Sequence, residues 1–401
     1  MTSSLSEING VRTTIDTIKQ RQQGRGQTLV LMNGCNGEVT QSSTTTTGGS
    51  TEHWPLGFTH YQIPTQGNAV HFRENPYTYS SVMPVNGPAA SDGYRTFQFG
   101  GDFQDNAGVN AVTSSLYLTT TSNIITITSP TCAGATSFAT SLKEASESSA
   151  ASTGDRLFQL GGFRTNTVSN DEMHESVSVV TNTASLVQGS FNIRMSFVSG
   201  NAETDGDVLF CTGGRASLNY SFQYASSFAA YVSIAQPAVS SNTDPPRSWP
   251  GGRYPTHGCS ASASDGSIML VAGGILVDDQ FQYLNTPQSV ITRYGFRLPG
   301  NSSSFGNLTQ ARVRLSGGSD GSRAVFVGGS DTINTVNQAA VTNYSTMDMV
   351  TISTPANATT FGTVQSQVYS QLDDGSGTST GLKLVSTGAV PSRGYGVASC
   401  T

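Results

Sequence analysis

The residues best suited to metal or nucleophilic chemistry are five histidines, at 53, 60, 71, 174 and 257, and five cysteines, at 35, 132, 211, 259 and 400. Structural zinc needs Cys and His at short, paired spacings. The chain has no Cys-x-x-Cys and no such His/Cys run, so no zinc site is expected. A copper centre built from Tyr and His beside a modified Cys would draw on the same histidines. They fall in no pattern that assembles one and are read as polar loop residues. The cysteines, odd in number, are read as small buried thiols. Asp102 with Asp105, Asp278 with Asp279, and Glu203 with Asp205 and Asp207 offer carboxylates for Ca²⁺. None has the spacing of a calcium-binding loop, and solvated turn acids are expected instead. No metal or cofactor is assigned.

Hydrolytic chemistry fares no better. Ser264-Asp265-Gly266 and Ser319-Asp320-Gly321 resemble the Asp-box turns of sialidases, but the closing Trp is absent. No arginine triad or acid pair accompanies them, and hairpin turns already account for them. No catalytic residue is assigned, and the chain is read as non-enzymatic. Recognition has better candidates in two long loops. Residues 33–60 carry His53-Trp54, and residues 239–258 carry Trp249-Pro250 and His257. Long loops on a rigid scaffold are the usual place for binding. An exposed Trp can stack on a sugar face with its polar edge wetted; the other reading is that Trp54 and Trp249 pack their own loops.

The elements that must position these loops follow from composition and repetition. The chain has 401 residues, only 11 % charged and 36 % hydrophobic, with 44 Gly and a net charge of −6. An ordinary soluble protein is roughly 25 % charged. The surface is wetted by hydroxyls and amides, which excludes a general electrostatic nucleic-acid binder, because phosphate affinity needs clustered cations. No apolar run approaches the ~18 residues of a membrane span. The first twenty residues lack the apolar core of a secretory signal, so synthesis in the cytoplasm is expected.

Residues 1–26 stand apart. Leu5, Ile8, Val11, Ile15 and Ile18 fall on one face of a helix at heptad spacing. Two heptads are too short to hold a helix alone. The stripe is expected to pack on its own domain, on a partner, or on its own copies.

From residue 27 a unit recurs. Strands ending in a glycine pair stand at Thr96–Gly101, Leu157–Gly162, Val208–Gly214, Ile268–Gly274 and Ala324–Gly329, with second glycines 52 to 61 residues apart. Weaker copies are Leu29–Gly34 and Leu382–Gly388. A turn signal precedes each of the five strong copies and the C-terminal one: Asp92-Gly93, the inverted Gly154-Asp155, Asp205-Gly206, Asp265-Gly266, Asp320-Gly321 and Asp374-Gly375. Asp-Gly between apolar runs marks a hairpin. A third strand follows each glycine pair, and a fourth carries Phe72, Phe138, Phe305 or Phe361. Four short strands per repeat predict an all-β propeller over 27–401, of six or seven four-stranded blades, with seven favoured by the count of glycine-pair strands. The glycine pairs let backbones approach near the axis. The C-terminal Arg393–Cys400 reads as a first strand and Leu29–Gly34 lacks one, so the termini are expected to share a blade.

The glycine-pair strands are similar to kelch-type propellers, although kelch units carry spaced Tyr and Trp and this chain has two Trp. A closer resemblance is to the kelch-like repeat proteins of tailed bacteriophages, cyanophages among them. It rests on Val350-Thr351-Ile352, Asn357-Ala358-Thr359, Phe361-Gly362, Asn307-Leu308-Thr309, Arg312 and Ser319 to Gly329, and is strongest at 289–365. It implies a structural component of the virion, in the tail, a fibre or a surface appendage. Its partners would be other virion proteins, its own copies through the N-terminal helix, and a host surface receptor or glycan.

The stripe of Ile8, Val11, Ile15 and Ile18 carries a prediction. Burying such side chains contributes about 1.5–3 kcal/mol each, and two charges at the seam would have to be desolvated. Replacing Ile15 and Ile18 together with Asp is expected to leave the β domain folded by circular dichroism and to abolish self-association or incorporation into particles. Assembly at the wild-type level would show that the helix is no anchor.

Overall fold

The structure is a computed structural model. It describes residues 28–32, 53–55, 58–65, 70–73, 89–91, 95–98, 102–104, 116–118, 121–126, 136–140, 149–153, 156–160, 174–178, 183–186, 201–212, 215–218, 221–225, 228–233, 247–248, 260–277, 283–296, 302–313, 315–329, 331, 344–363, 367–373, 379–386 and 396–400. Among these residues the chain is all β, with one 3-10 turn at Ile63–Thr65. No helix among them is long and apolar enough to cross a membrane. Leu5, Ile8, Val11, Ile15 and Ile18 lie outside the described residues.

The local unit is a hairpin with a side-chain-capped turn. Strands are numbered β1 to β33 in chain order. β21 (Ala261–Ser264) and β22 (Ile268–Ala272) pair antiparallel around Asp265-Gly266-Ser267. Asp265 Oδ1 accepts from the N–H of Ser267 at 2.7 Å and of Ile268 at 2.8 Å, and Ser264 Oγ accepts from the Gly266 N–H at 2.9 Å. Gly266 sits at φ +88°, where a Cβ is disfavoured. β27 (Ser316–Ser319) and β28 (Arg323–Val327) repeat the pattern, Asp320 Oδ1 accepting from Ser322 and Arg323 at 2.8 and 2.7 Å. Thr204 takes the Ser role between β15 (Asn201–Thr204) and β16 (Val208–Thr212), its Oγ1 accepting from the Gly206 N–H at 2.9 Å. The turn carboxylates are thus occupied with backbone amides.

A third and a fourth strand complete each unit. β25 (Val290–Gly295) and β26 (Ser303–Asn307) extend the β21–β22 hairpin, and β29 (Thr346–Thr351) and β30 (Thr359–Thr363) extend β27–β28. Both sheets carry a bulge at the same place, at Ile291/Thr292 and at Met347/Asp348. These are the fifth and sixth of six four-stranded antiparallel sheets among the described residues. The first orders β33 (Gly396–Cys400), β1 (Thr28–Met32), β3 (Phe58–Gln62) and β4 (Val70–Arg73). The second holds β5 (Ala89–Ser91), β6 (Arg95–Gln98), β9 (Thr121–Thr126) and β10 (Thr136–Thr140). The third holds β11 (Ser149–Ser152), β12 (Arg156–Leu160), β13 (His174–Ser178) and β14 (Thr183–Leu186). The fourth adds β19 (Phe228–Ser233) and β20 (Arg247–Ser248) to β15 and β16.

Packing explains why the second strands of the fifth and sixth sheets, Ile268–Ala272 and Ala324–Val327, read as unbroken apolar runs. Leu270 and Ala272 of β22 join Phe305, Leu315, Phe326 and Val350 in one core between the fifth and sixth sheets. Met269 and Val271, on the other face, join Phe210, Tyr294 and Phe296 toward the fourth. Phe210 meets Phe296 edge-on, with centroids 5.9 Å apart. A sheet covered on both faces has no reason to alternate polar and apolar residues.

Four of the six first strands are instead made of Ala, Ser and Gly: Ala-Ala-Ser in β5, Ser-Ala-Ala-Ser in β11, Ala-Ser-Ala-Ser in β21 and Ser-Gly-Gly-Ser in β27. All six neighbour one another in order, β33 against β5, β5 against β11, β11 against β15, β15 against β21, β21 against β27, and β27 against β33. The approach is close enough that a Cβ on Gly317 would strike the Ser262 carbonyl oxygen.

Of the seven glycine-pair-like strands in the sequence, six are second strands of four-stranded sheets. The seventh falls in β32 (Ser379–Ser386), which pairs with β31 (Gln367–Asp373) and, through it, with β2 (His53–Pro55) in a three-stranded sheet. An apolar run ending in glycine marks a strand and its end; it does not specify the strand's neighbours.

β33 pairs with β1 in unbroken register, Thr28 opposite Cys400 through to Met32 opposite Gly396. Each ladder hydrogen bond contributes about 0.5–1.5 kcal/mol net. Deleting residues 393–401 also opens the β1 edge to other chains. The truncated chain is expected to melt markedly lower or to aggregate in a thermal scan. Unchanged melting and solubility would show that this pairing contributes nothing to stability.

Candidate functional site

In a four-stranded meander, the connection from second to third strand leaves from the same end as the connection from the fourth strand to the next sheet. The fifth and sixth sheets show how that end is built. The Gly273 N–H donates to the Val290 carbonyl at 3.1 Å and the Gly274 N–H to the Arg312 carbonyl at 3.0 Å. The Gln288 N–H donates to Gly274 O at 2.8 Å, and the Arg312 N–H returns to Gln288 O at 3.1 Å. Residues 308–313, which lead from β26 toward β27, are thereby stitched to the end of β22 and the start of β25. A Cβ on Gly273 would stand 2.6 Å from Arg312 O, and one on Gly329 2.6 Å from Val313 O. The glycine pairs at 273–274 and 328–329 all have positive φ, between 67° and 99°. They give the connecting segment room to pass between two sheets.

A buried ion pair holds the segment. Arg312 Nη2 lies 2.8 Å from Asp348 Oδ2, both side chains fully buried. Arg312 Nη1 donates to Thr346 Oγ1 at 2.8 Å and to Thr346 O at 3.1 Å. Asp348 accepts from the Thr309 N–H at 2.8 Å and from Thr309 Oγ1 at 2.7 Å. Burial pulls the Arg312 guanidinium below its ordinary range, and Asp348 opposes that shift. Arg312 Nε has no hydrogen-bond partner among the described residues. Thr309 and Arg312 belong to the repeat motif read in the sequence; Asp348 was not singled out there. Its signal was present, a carboxylate within the apolar run Met347-Asp348-Met349-Val350.

The same end carries further β-ribbons. β7 (Asp102–Gln104) pairs with β8 (Leu116–Leu118) between β6 and β9. β17 (Arg215–Leu218) pairs with β18 (Ser221–Ala225) between β16 and β19. β23 (Ile275–Val277) pairs with β24 (Tyr283–Pro287) between β22 and β25. The three-stranded sheet of β2, β31 and β32 joins the connection between β1 and β3 to the one between β30 and β33. The connections from first to second strand at the opposite end are short, the described ones being the capped turns at 205–207, 265–267 and 320–322. The β23–β24 ribbon is firmly rooted: Ile275 is fully buried, and Gln288 Nε2 donates to Thr286 O at 2.9 Å.

His53 and Trp54 lie on β2, opposite Ser370 and Tyr369 of β31. Trp249 and His257 lie outside the described residues, in the chain between β20 and β21. His60 and His71 are on adjacent strands of the first sheet and His174 is on the third. Asp102 is on β7 opposite Leu118, while Glu203 on β15 accepts from Ser262 Oγ at 3.3 Å. Among the described residues, no group of three or more His, Cys, Asp or Glu is placed to hold a metal ion.

No protein-family model and no curated protein matches the chain. Among solved structures the chain is similar to one titled "Structure of YjhT", with 10 % identity and a TM-score of 0.48 over 78 % of this chain and 95 % of that one.

Breaking a buried pair from one side leaves an uncompensated charge and costs about 3–5 kcal/mol. Asp348→Ala is expected to lower the stability measured by urea unfolding by that amount. Arg312→Met with Asp348→Leu is expected to recover most of the loss, since desolvation offsets much of the native pair's attraction. Equal losses in the single and double variants would remove the pair from its anchoring role.

Proposed function

We propose that the six sheets are the blades of a closed kelch-like β-propeller. We propose further that the protein is a non-enzymatic structural component of a phage virion, carried in the tail, a fibre or a surface appendage. Its N-terminal helix docks it to other virion proteins or to its own copies, and the ribbon-bearing end faces outward. The observation that carries the architecture is the cyclic order of the first strands, which returns from β27 to β33, the C-terminal strand beside β1. A six-membered ring crowds its axis, which suits the Ala, Ser and Gly of those strands. The virion setting is supported by the repeat resemblance through Asn307-Leu308-Thr309, Arg312 and Asn357 to Gly362, and by a chain only 11 % charged. A structural role is also in keeping with the Arg312–Asp348 pair, whose charges are held inside the chain to fix a connection. A receptor- or glycan-binding module is the second reading, favoured by the gathering of ribbons at one end.

Quantitative mass spectrometry of purified phage particles tests the setting. The chain is expected at a fixed copy number per particle, and Ile15→Asp with Ile18→Asp at a small fraction of it. Absence from particles whose known structural proteins are all detected would overturn the virion reading.

A further inference from the structure

The ribbons share a pattern that the repeat itself does not require. In β2–β31, Trp54 stands opposite Tyr369. In β7–β8, Phe103 stands opposite Tyr117. Tyr224 of β18 is opposite Ala216, and Tyr283 of β24 is opposite Val277. Each ribbon therefore places an aromatic residue at a cross-strand position. Seven of the 41 residues in these nine strands are aromatic, against 8 % of the whole chain, so the ribbons are enriched about twofold. Two positions along the strand, and so on the same face, Tyr283 has Asn285 and Tyr369 has Gln367 and Gln371. β18 and β24 also lie against each other, which brings the ribbons of the fourth and fifth sheets together.

We propose that the ribbon-bearing end binds an uncharged polysaccharide through these aromatic positions. Aromatic positions alternating with amides fit a sugar ring, whose C–H face is apolar and whose rim is hydroxyl. Platforms repeated on separate ribbons fit a ligand that itself repeats, because several weak subsites add through multivalency. A protein partner would instead favour one contiguous patch of about 800 Å². A neutral rather than acidic polymer follows from the net charge of −6. The proposal deepens the recognition reading above, but its test does not depend on the virion.

The experiment is native gel electrophoresis of the full chain through gels containing a neutral mannan, a neutral β-glucan, a neutral galactan or anionic alginate. Retardation is expected in at least one neutral gel and not in alginate. Trp54→Ala, and Tyr224→Ala with Tyr283→Ala, are expected to weaken retardation by roughly tenfold per aromatic removed, and Trp54→Phe to retain it. Circular dichroism and melting should be unchanged, since the ribbons lie outside the six sheets. No retardation in any neutral gel, retardation by alginate alone, or loss of binding only in unfolded variants would overturn the proposal. So would a dimer detected by light scattering and abolished by the same substitutions, because the ribbons would then serve a second copy. If the chain is absent from particles yet retarded, the virion reading fails and this one stands.

Discussion

Strand β22 is buried on both faces, Leu270 and Ala272 on one and Met269 and Val271 on the other. A sheet of this kind cannot present either face to water without exposing several large apolar side chains, each costing about 1.5–3 kcal/mol. It needs a neighbouring sheet on each side, and β28, buried from Ala324 to Val327, has the same need. That double cover governs much of the rest. It explains the unbroken apolar run of β22 and the aromatic contacts of Phe210 with Tyr294 and Phe296. β27 of the last four-stranded sheet in turn lies beside β33 of the first.

Covering each sheet twice brings backbones into places where ordinary side chains do not fit. At the first strands the answer is small residues, down to Gly317 pressed against Ser262 O. At the second strands it is the glycine pair, which takes a backbone conformation other residues resist and leaves space for the connecting segment. Arg312 and Asp348 then fix that segment from within. Their pair is better understood as a positional device than as a source of stability, because desolvation offsets much of its attraction. Removing one member is costly, which is how such a pair enforces a single path for the chain.

The two ends of the sheets have been treated differently. At one end, turn acids and hydroxyls fold back on the backbone at Thr204-Asp205, Ser264-Asp265 and Ser319-Asp320, in compact connections. At the other end, the chain adds ribbons rooted in the glycine-pair network, as Ile275 and Gln288 illustrate. A rigid base with variable extensions at one end is the arrangement in which loops serve recognition and the sheets serve position.

Much of the fold was legible in the sequence because it is local chemistry repeated. Asp265-Gly266 and Asp320-Gly321 make their turns with atoms no more than three residues away, so the signal survives without knowledge of the rest. The same holds for the strands that end in glycine pairs. The outlying β32 shows the limit: its sequence resembles a second strand, but its partners are β31 and, beyond it, β2. Pairing is decided by what the rest of the chain brings alongside. The candidate site was less legible for the same reason. Trp54 was visible as a residue, but its register opposite Tyr369, more than three hundred positions away, depends on two connections meeting at one end. Asp348 reads alone as a misplaced charge, and only the approach of Arg312 and Thr309 from the segment connecting β26 to β27 gives it a role. Sequence by itself determined the strands, their turns and the places needing glycine, since these rest on backbone conformation and near neighbours. Tertiary structure decided the partners, the buried pair and the gathering of ribbons, since these rest on contacts between segments far apart in the chain.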